Sequence, residues 1–177
     1  MKTFYAKSLE DWRNWLEKNH LKEDRVLLIK DKKHTGRPII HNADSMKTAI
    51  CFGWIDTTTK RIDEDQYAIT YVKRNKNSKW SINTLSYGKE LLKQGLMSPH
   101  GLKMYNEGLQ KKPHDLGIPR NPRMPEDMKS SLIANNKLAS FLKLAPSLKR
   151  MYFRMYLRAK RPETKEKLVK KLISGLK

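Results

Sequence analysis

Apolar positions in the first hundred residues change their period several times, and each change predicts an element. Leu9, Trp12, Trp15 and Leu16 recur at helical spacing, and Ser8-Leu9-Glu10-Asp11 ahead of them has the form of a capping box. A helix is therefore predicted from Ser8 to near His20. Val26-Leu27-Leu28-Ile29 sits between charged ends and predicts a buried strand over Arg25 to Asp31, with a turn from Lys32 to Pro38. Asn42 or Asp44 then caps a short helix that turns Met46, Ala49 and Ile50 inward and ends at Gly53 as its C′ residue. Trp54 to Arg61 and Gln66 to Lys73 read as two strands joined around Ile62-Asp63-Glu64-Asp65. In the second, Tyr67, Ile69 and Tyr71 alternate with Ala68, Thr70 and Val72.

After residue 80 the period is helical throughout. Ser81 caps a helix that carries Leu85, Leu91 and Leu92 and ends at Gly95, and Ser98-Pro99 opens the next with proline at N1. Half of the chain's prolines (Pro113, Pro119, Pro122 and Pro125) fall in Lys111 to Pro125, which reads as a hinge or linker. Beyond it Pro125, Pro146 and Pro162 each introduce an amphipathic segment, and Asn135-Asn136 marks another boundary. The fold class expected is α+β: a small, mainly antiparallel sheet packed with helices over residues 1–110, a linker over 111–125, and a basic, all-helical module over 126–177.

Charge sharpens this picture. The net charge is +20, with 18 basic and 5 acidic residues between 111 and 177. That imbalance favours an anionic partner: nucleic acid, a membrane surface or an acidic protein. Cys51 is the single cysteine, so no internal disulfide forms and a reducing compartment is expected. The N-terminus holds no apolar stretch of signal-peptide length and no run is long enough to span a bilayer, so a cytoplasmic protein is expected.

The candidate chemistry gathers between Cys51 and Asn83. There Cys51-Phe52-Gly53-Trp54-Ile55-Asp56 and Arg74-Asn75-Lys76-Asn77-Ser78-Lys79-Trp80-Ser81-Ile82-Asn83 set two indoles beside charged, hydroxyl and amide groups. A helix start at Ser81 beside Arg74, Lys76 and Lys79 offers N–H groups and cations to an anion. Trp80 is placed to stack on a ring or cover an apolar ligand, or else to pack into the core. The ligand site expected is Trp54, Asp56, Arg74, Ser78, Trp80, Ser81 and Asn83. Asp56 can serve as a general base on an anionic substrate, though an Asp56–Arg74 salt bridge is the better reading. No catalytic set, cofactor or metal site is expected. Cys51 at a helix C-terminus is a poor nucleophile, and the five histidines show no ligand spacing.

In the basic module Arg150, Arg154 and Arg158 recur every four residues, a ladder that can follow a phosphate backbone or merely face solvent. The last helix, Glu163 to Leu176, has an apolar side of Leu168, Val169, Leu172, Ile173 and Leu176 that docks on its own module or lies on a membrane.

Through these motifs the chain resembles the YdeI/OmpD-associated bacteriocin-protection family. The matching pieces are Trp15-Leu16-Glu17-Lys18-Asn19-His20, Cys51-Phe52-Gly53-Trp54-Ile55-Asp56, then Arg74, Ser78, Trp80, Ser81 and Asn83. They continue with Gly95-Leu96-Met97, Gly101 and Ala159-Lys160-Arg161-Pro162-Glu163-Thr164. Two departures stand out: Lys73 occupies the place where such proteins usually have proline, and Lys165 that of a common arginine. The resemblance implies a link to protection against bacteriocins and cationic antimicrobial peptides, and it carries over no catalytic residue. The function expected is a non-catalytic binding protein for a small anionic or aromatic ligand or an acidic partner. Nucleic-acid binding and hydrolase or transferase chemistry are the alternatives.

Overall fold

Asp11 N donates to Ser8 Oγ at 3.0 Å while Asp11 Oδ2 accepts from Ser8 N at 3.1 Å. The anticipated capping box thus starts α1 (Leu9–Asn19). Trp12 and Leu16 on its inner face are fully buried, whereas Leu9, expected inward, is exposed. Around α1 the computed structural model, which describes residues 2–176, builds a four-stranded sheet in the order β1-β2-β4-β3. The strands are β1 (Lys2–Tyr5), β2 (Arg25–Asp31), β3 (Trp54–Arg61) and β4 (Gln66–Lys73).

β2, β3 and β4 have the limits read from the sequence and pair antiparallel through β4. β1 was not anticipated. It pairs parallel to β2, with Phe4 opposite Leu28, and α1 supplies the crossover that a parallel pair requires.

One face of the sheet is covered by α1 and α2 (Asn42–Cys51). Trp12, Leu16, Val26, Leu28, Ala49, Ile50, Trp54 and Tyr71 form the centre of this core. Neither Asn42 nor Asp44 caps α2; His41 holds the cap position without a side-chain hydrogen bond. Gly53 does follow the helix with φ +73°. Lys30 shares the inward phase of Val26 and Leu28 and is buried. Its ammonium donates to Asn42 Oδ1 at 2.8 Å and Ser45 Oγ at 3.1 Å, and the Tyr71 hydroxyl meets the same Ser45 Oγ at 3.0 Å.

α3 (Ile82–Lys93) and α4 (Pro99–Leu109) complete the first unit, Met1–His114. Both begin as read, with Ser81 Oγ accepting from Thr84 N and Ser98 Oγ from Gly101 N. Leu91 is buried; Leu92, expected beside it, is exposed.

The second unit, Asp115–Lys177, is helical: α5 (Glu126–Ala134), α6 (Leu138–Leu142), α7 (Pro146–Arg158) and α8 (Pro162–Gly175). Pro125 is the N-cap of α5, and Pro146 and Pro162 open α7 and α8. Its core is Met128, Leu132, Phe141, Tyr156, Val169, Leu172 and Leu176, so the apolar side of α8 is spent within its own unit.

The proline-rich stretch divides at His114 rather than standing apart as a linker over 111–125. Lys111 and His114 bond back to residues 76–80 of the first unit. Within the second, Arg154 Nη2 pairs with Asp115 at 3.0 Å, and Arg150 Nη1 donates to Asn121 Oδ1 at 3.1 Å.

Candidate functional site

Gly53 reverses the chain between α2 and β3, and its missing side chain lets α4 approach. A Cβ built there would stand 2.9 Å from His100 Cδ2 and from Met104 Cγ. The fit continues one residue along, since a Cβ on Gly101 would collide with the Cys51 carbonyl at 1.9 Å. On its other side Gly53 O accepts from Arg74 N at 2.8 Å. The end of α2, the ends of β3 and β4 and the start of α4 therefore converge on one glycine.

Arg74 follows β4 directly. Its guanidinium lies 3.6 Å from the centroid of the Trp80 ring, and the residue is only 4% exposed. Nη1 donates to Lys79 O at 3.0 Å, but Nε and Nη2 have no partner. Burial pushes this guanidinium down to about 10, against the pull of the nearby Asp56 charge. A buried, stacked cation with part of its hydrogen-bonding capacity idle is costly.

The expected Asp56–Arg74 salt bridge is absent among the described residues. Asp56 is exposed on β3 opposite Tyr71 and reaches Arg74 only through its field. The third idle atom is His100 Nε2, also buried. Burial, then the charges of His20, Lys73 and Lys103, hold this imidazole below its ordinary range and favour the neutral ring. Among the described residues, the buried side-chain atoms without a partner belong to these two groups alone, and both flank Gly53.

The loop from Arg74 to Trp80 is organised differently from the anion cradle read in the sequence. Asn77 N donates to Asn75 Oδ1 and Asn75 N to Ser78 Oγ, which fixes Ser78 as a turn residue. Cations then collect the loop's carbonyl oxygens. Lys111 Nζ takes Lys76 O and Ser78 O, Arg74 takes Lys79 O, and the backbone N–H of His114 takes Trp80 O. Lys76 and Lys79 themselves are exposed.

Of the seven residues expected to share a pocket, the structure joins Arg74 to Trp80, with Ser78 and Ser81 shaping the loop and helix start beside them. Trp54 lies in the main core: its indole N–H donates to His20 O at 3.1 Å and its ring meets Trp15 edge-on. Asp56 and Asn83 are exposed. The arginine ladder is largely committed inside its unit, where Arg154 serves Asp115 and Pro119 O, Arg150 serves Asn121, and Arg158 Nε serves Arg154 O. His100, Met104 and Lys111 were missed. The available signal was the spacing of His100, Met104 and Gly108 at every fourth residue, one helix face with a small residue for close approach.

Comparison with known proteins adds a family without an activity. The model of a domain of unknown function (DUF8412) matches residues 4–104, more than half of the chain, and ends within α4. No curated protein and no solved structure matches.

Proposed function

The chain belongs to the DUF8412 family, and from that premise we propose that it is a non-catalytic binding protein whose ligand presents a carboxylate or phosphate to Arg74. One observation carries this reading. The two idle nitrogens, Nε and Nη2, lie on the same edge of the guanidinium and form the fork that receives two oxygens of one anion. Trp80 covers the face of the cation, and His100 adds a further polar atom next to Gly53. Because the fork is buried, the ligand enters by local opening, for which the exposed loop from Asn75 to Lys79 is the adjacent element. An acidic side chain of a partner protein and a small organic anion share this chemistry.

The resemblance to the bacteriocin-protection family supports a cytoplasmic role in tolerance of such peptides. The net charge of +20 argues against direct capture of a cationic peptide and for an acidic target. Nucleic-acid binding through the basic helices has less support, because two of the three ladder arginines hold segment 115–121.

The test is thermal unfolding of the full chain with inorganic phosphate and with acetate, for wild type and Arg74→Met. Wild type is expected to be stabilised, by about 2.7 kcal/mol at a hundredfold excess over Kd. Arg74→Met loses this response while matching or exceeding the wild-type midpoint without anion, since it removes a buried, incompletely paired charge. A variant that unfolds earlier, combined with a wild type indifferent to both anions, makes Arg74 a strut and ends the proposal.

A further inference from the structure

The helical unit holds a cavity of about 560 Å³ between α5 and α8, lined by none of the residues of the Arg74 site. One wall is Asp127 and Ser131 on α5 with its C-cap Asn135, spaced every four residues; the other is Lys165, Val169 and Ile173, spaced likewise on α8. Eight residues of helix make a trough roughly 12 Å long. Its volume falls in the range of small-molecule sites, roughly 300–1,000 Å³.

The trough is apolar at its floor and cationic toward Pro162. Val169 and the ring of Tyr156 are both buried there. Of the two acidic groups along it, Glu166 pairs with Lys170 at 2.6 Å. Asp127 lies beside Tyr156, whose hydroxyl is held above its ordinary range by burial and then by the Asp127 charge. Two of the lysines have no carboxylate partner among the described residues. The Lys165 ammonium stands 4.9 Å from the Tyr156 ring centroid without a carboxylate, and among the described residues Lys160 has no ion-pair partner. The unit around them carries 16 basic and 5 acidic residues.

From this arrangement we infer that the trough binds a small anionic amphiphile, its apolar chain along Tyr156, Val169 and Ile173 and its carboxylate-like head between Lys160 and Lys165. The balance of unpaired charges decides the class, two lysines (Lys160 and Lys165) against the single carboxylate of Asp127. A neutral apolar molecule leaves both free lysines unused, and a cationic one meets them head-on. An acidic helix would fill a groove of this length only by leaving most of its own surface in water, so a single small molecule is the better occupant.

The experiment titrates the full chain with decanoate at monomeric concentrations, following amide shifts and heat, beside decyltrimethylammonium and acetate. Decanoate is expected to bind one to one and the other two at least tenfold more weakly. Lys160→Gln with Lys165→Gln, both at solvent-accessible positions, weakens decanoate about tenfold without unfolding the unit. Ser131→Trp fills the trough and abolishes binding. Equal binding of the cationic amphiphile, decanoate binding that survives Ser131→Trp in a folded protein, or absence of decanoate binding overturns the assignment. So does an acidic amphipathic peptide or an anionic vesicle that binds this unit where decanoate does not. Repeated in the Arg74→Met background, which removes the other proposed carboxylate site, the titration reads the trough alone, so its failure and that of the Arg74 reading are distinguishable.

Discussion

Gly108 lies against the indole of Trp80 so closely that a Cβ on it would stand 2.4 Å from Cε2 and 2.6 Å from Cδ2. The ring has nowhere to retreat, because Arg74 stacks on it at 3.6 Å and Tyr105 meets it at a centroid distance of 6.2 Å. Gly108→Ala gains about 1 kcal/mol of helix propensity but forces a rigid ring aside, at a cost of roughly 1–3 kcal/mol or more. The expected result is a lower urea midpoint for the first unit. Gly175→Ala, at a position with nothing within 4 Å, keeps or gains stability and serves as the control. A Gly108→Ala protein as stable as wild type would show the contact to be looser than described.

Cys51 closes α2 with its side chain buried and its carbonyl accepting from Ser98 N at 2.8 Å. Burial pushes the thiol up, away from the reactive thiolate. A disulfide reagent must wait for the end of α2 to open. Labelling of the native protein is therefore expected to be roughly a thousandfold slower than in denaturant. Fast stoichiometric labelling of the folded chain rules this out.

The same local rules explain what the sequence disclosed and what it hid. β2, β3 and β4 were legible to the residue because alternation and flanking turns are properties of neighbours in the chain. β1 was not, since four residues at a sheet edge owe their strand conformation to β2, more than twenty residues away. Arg74 and Trp80 were legible as a pair because only five residues of turn separate them. Trp54 was misplaced because its burial depends on Trp15 and His20, supplied by α1. His100 carried no local mark; its idle nitrogen follows from the approach of α4 to Gly53. Lys30 looked like the charged end of a strand, although its phase with Val26 and Leu28 already placed it inside.

Arg154 distinguishes a ladder used for internal anchoring from one used for nucleic acid. It holds Asp115, whose side chain is nearly buried, and Pro119 O. Arg154→Ala is expected to lower the stability of the helical unit by roughly 1–3 kcal/mol and to open residues 115–122 to limited proteolysis. If the substitution leaves digestion unchanged and instead flattens the salt dependence of binding to a DNA duplex, the arginine serves a phosphate backbone.

The buried pair of Lys30 and Tyr71 makes stability depend on pH in a direction that can be worked out. Burial pushes Lys30 down to about 8 from its ordinary 10.5, so between these values the unfolded chain holds the extra proton. Stability then rises with pH across that window, and the full penalty of the buried charge is present below it. Burial raises Tyr71, so above pH 10 the folded chain keeps a proton that the unfolded chain has lost, and stability falls. Arg74, pushed down to about 10, acts in the same sense as Lys30 but only above that pH, where it offsets Tyr71. The first unit is therefore expected to gain roughly 1–3 kcal/mol between pH 8 and 10, allowing for solvent screening. Lys30→Met should abolish this gain without weakening the protein at pH 7. Asn42 Oδ1 keeps its hydrogen bond from Tyr67 and Ser45 Oγ keeps that from Tyr71, so neither acceptor is stranded when the ammonium is removed. Urea titrations of both proteins from pH 7 to 10 provide the check. A wild-type midpoint that stays level, or a slope that persists in Lys30→Met, would mean that the ammonium is solvated and that Lys30 is not a core residue.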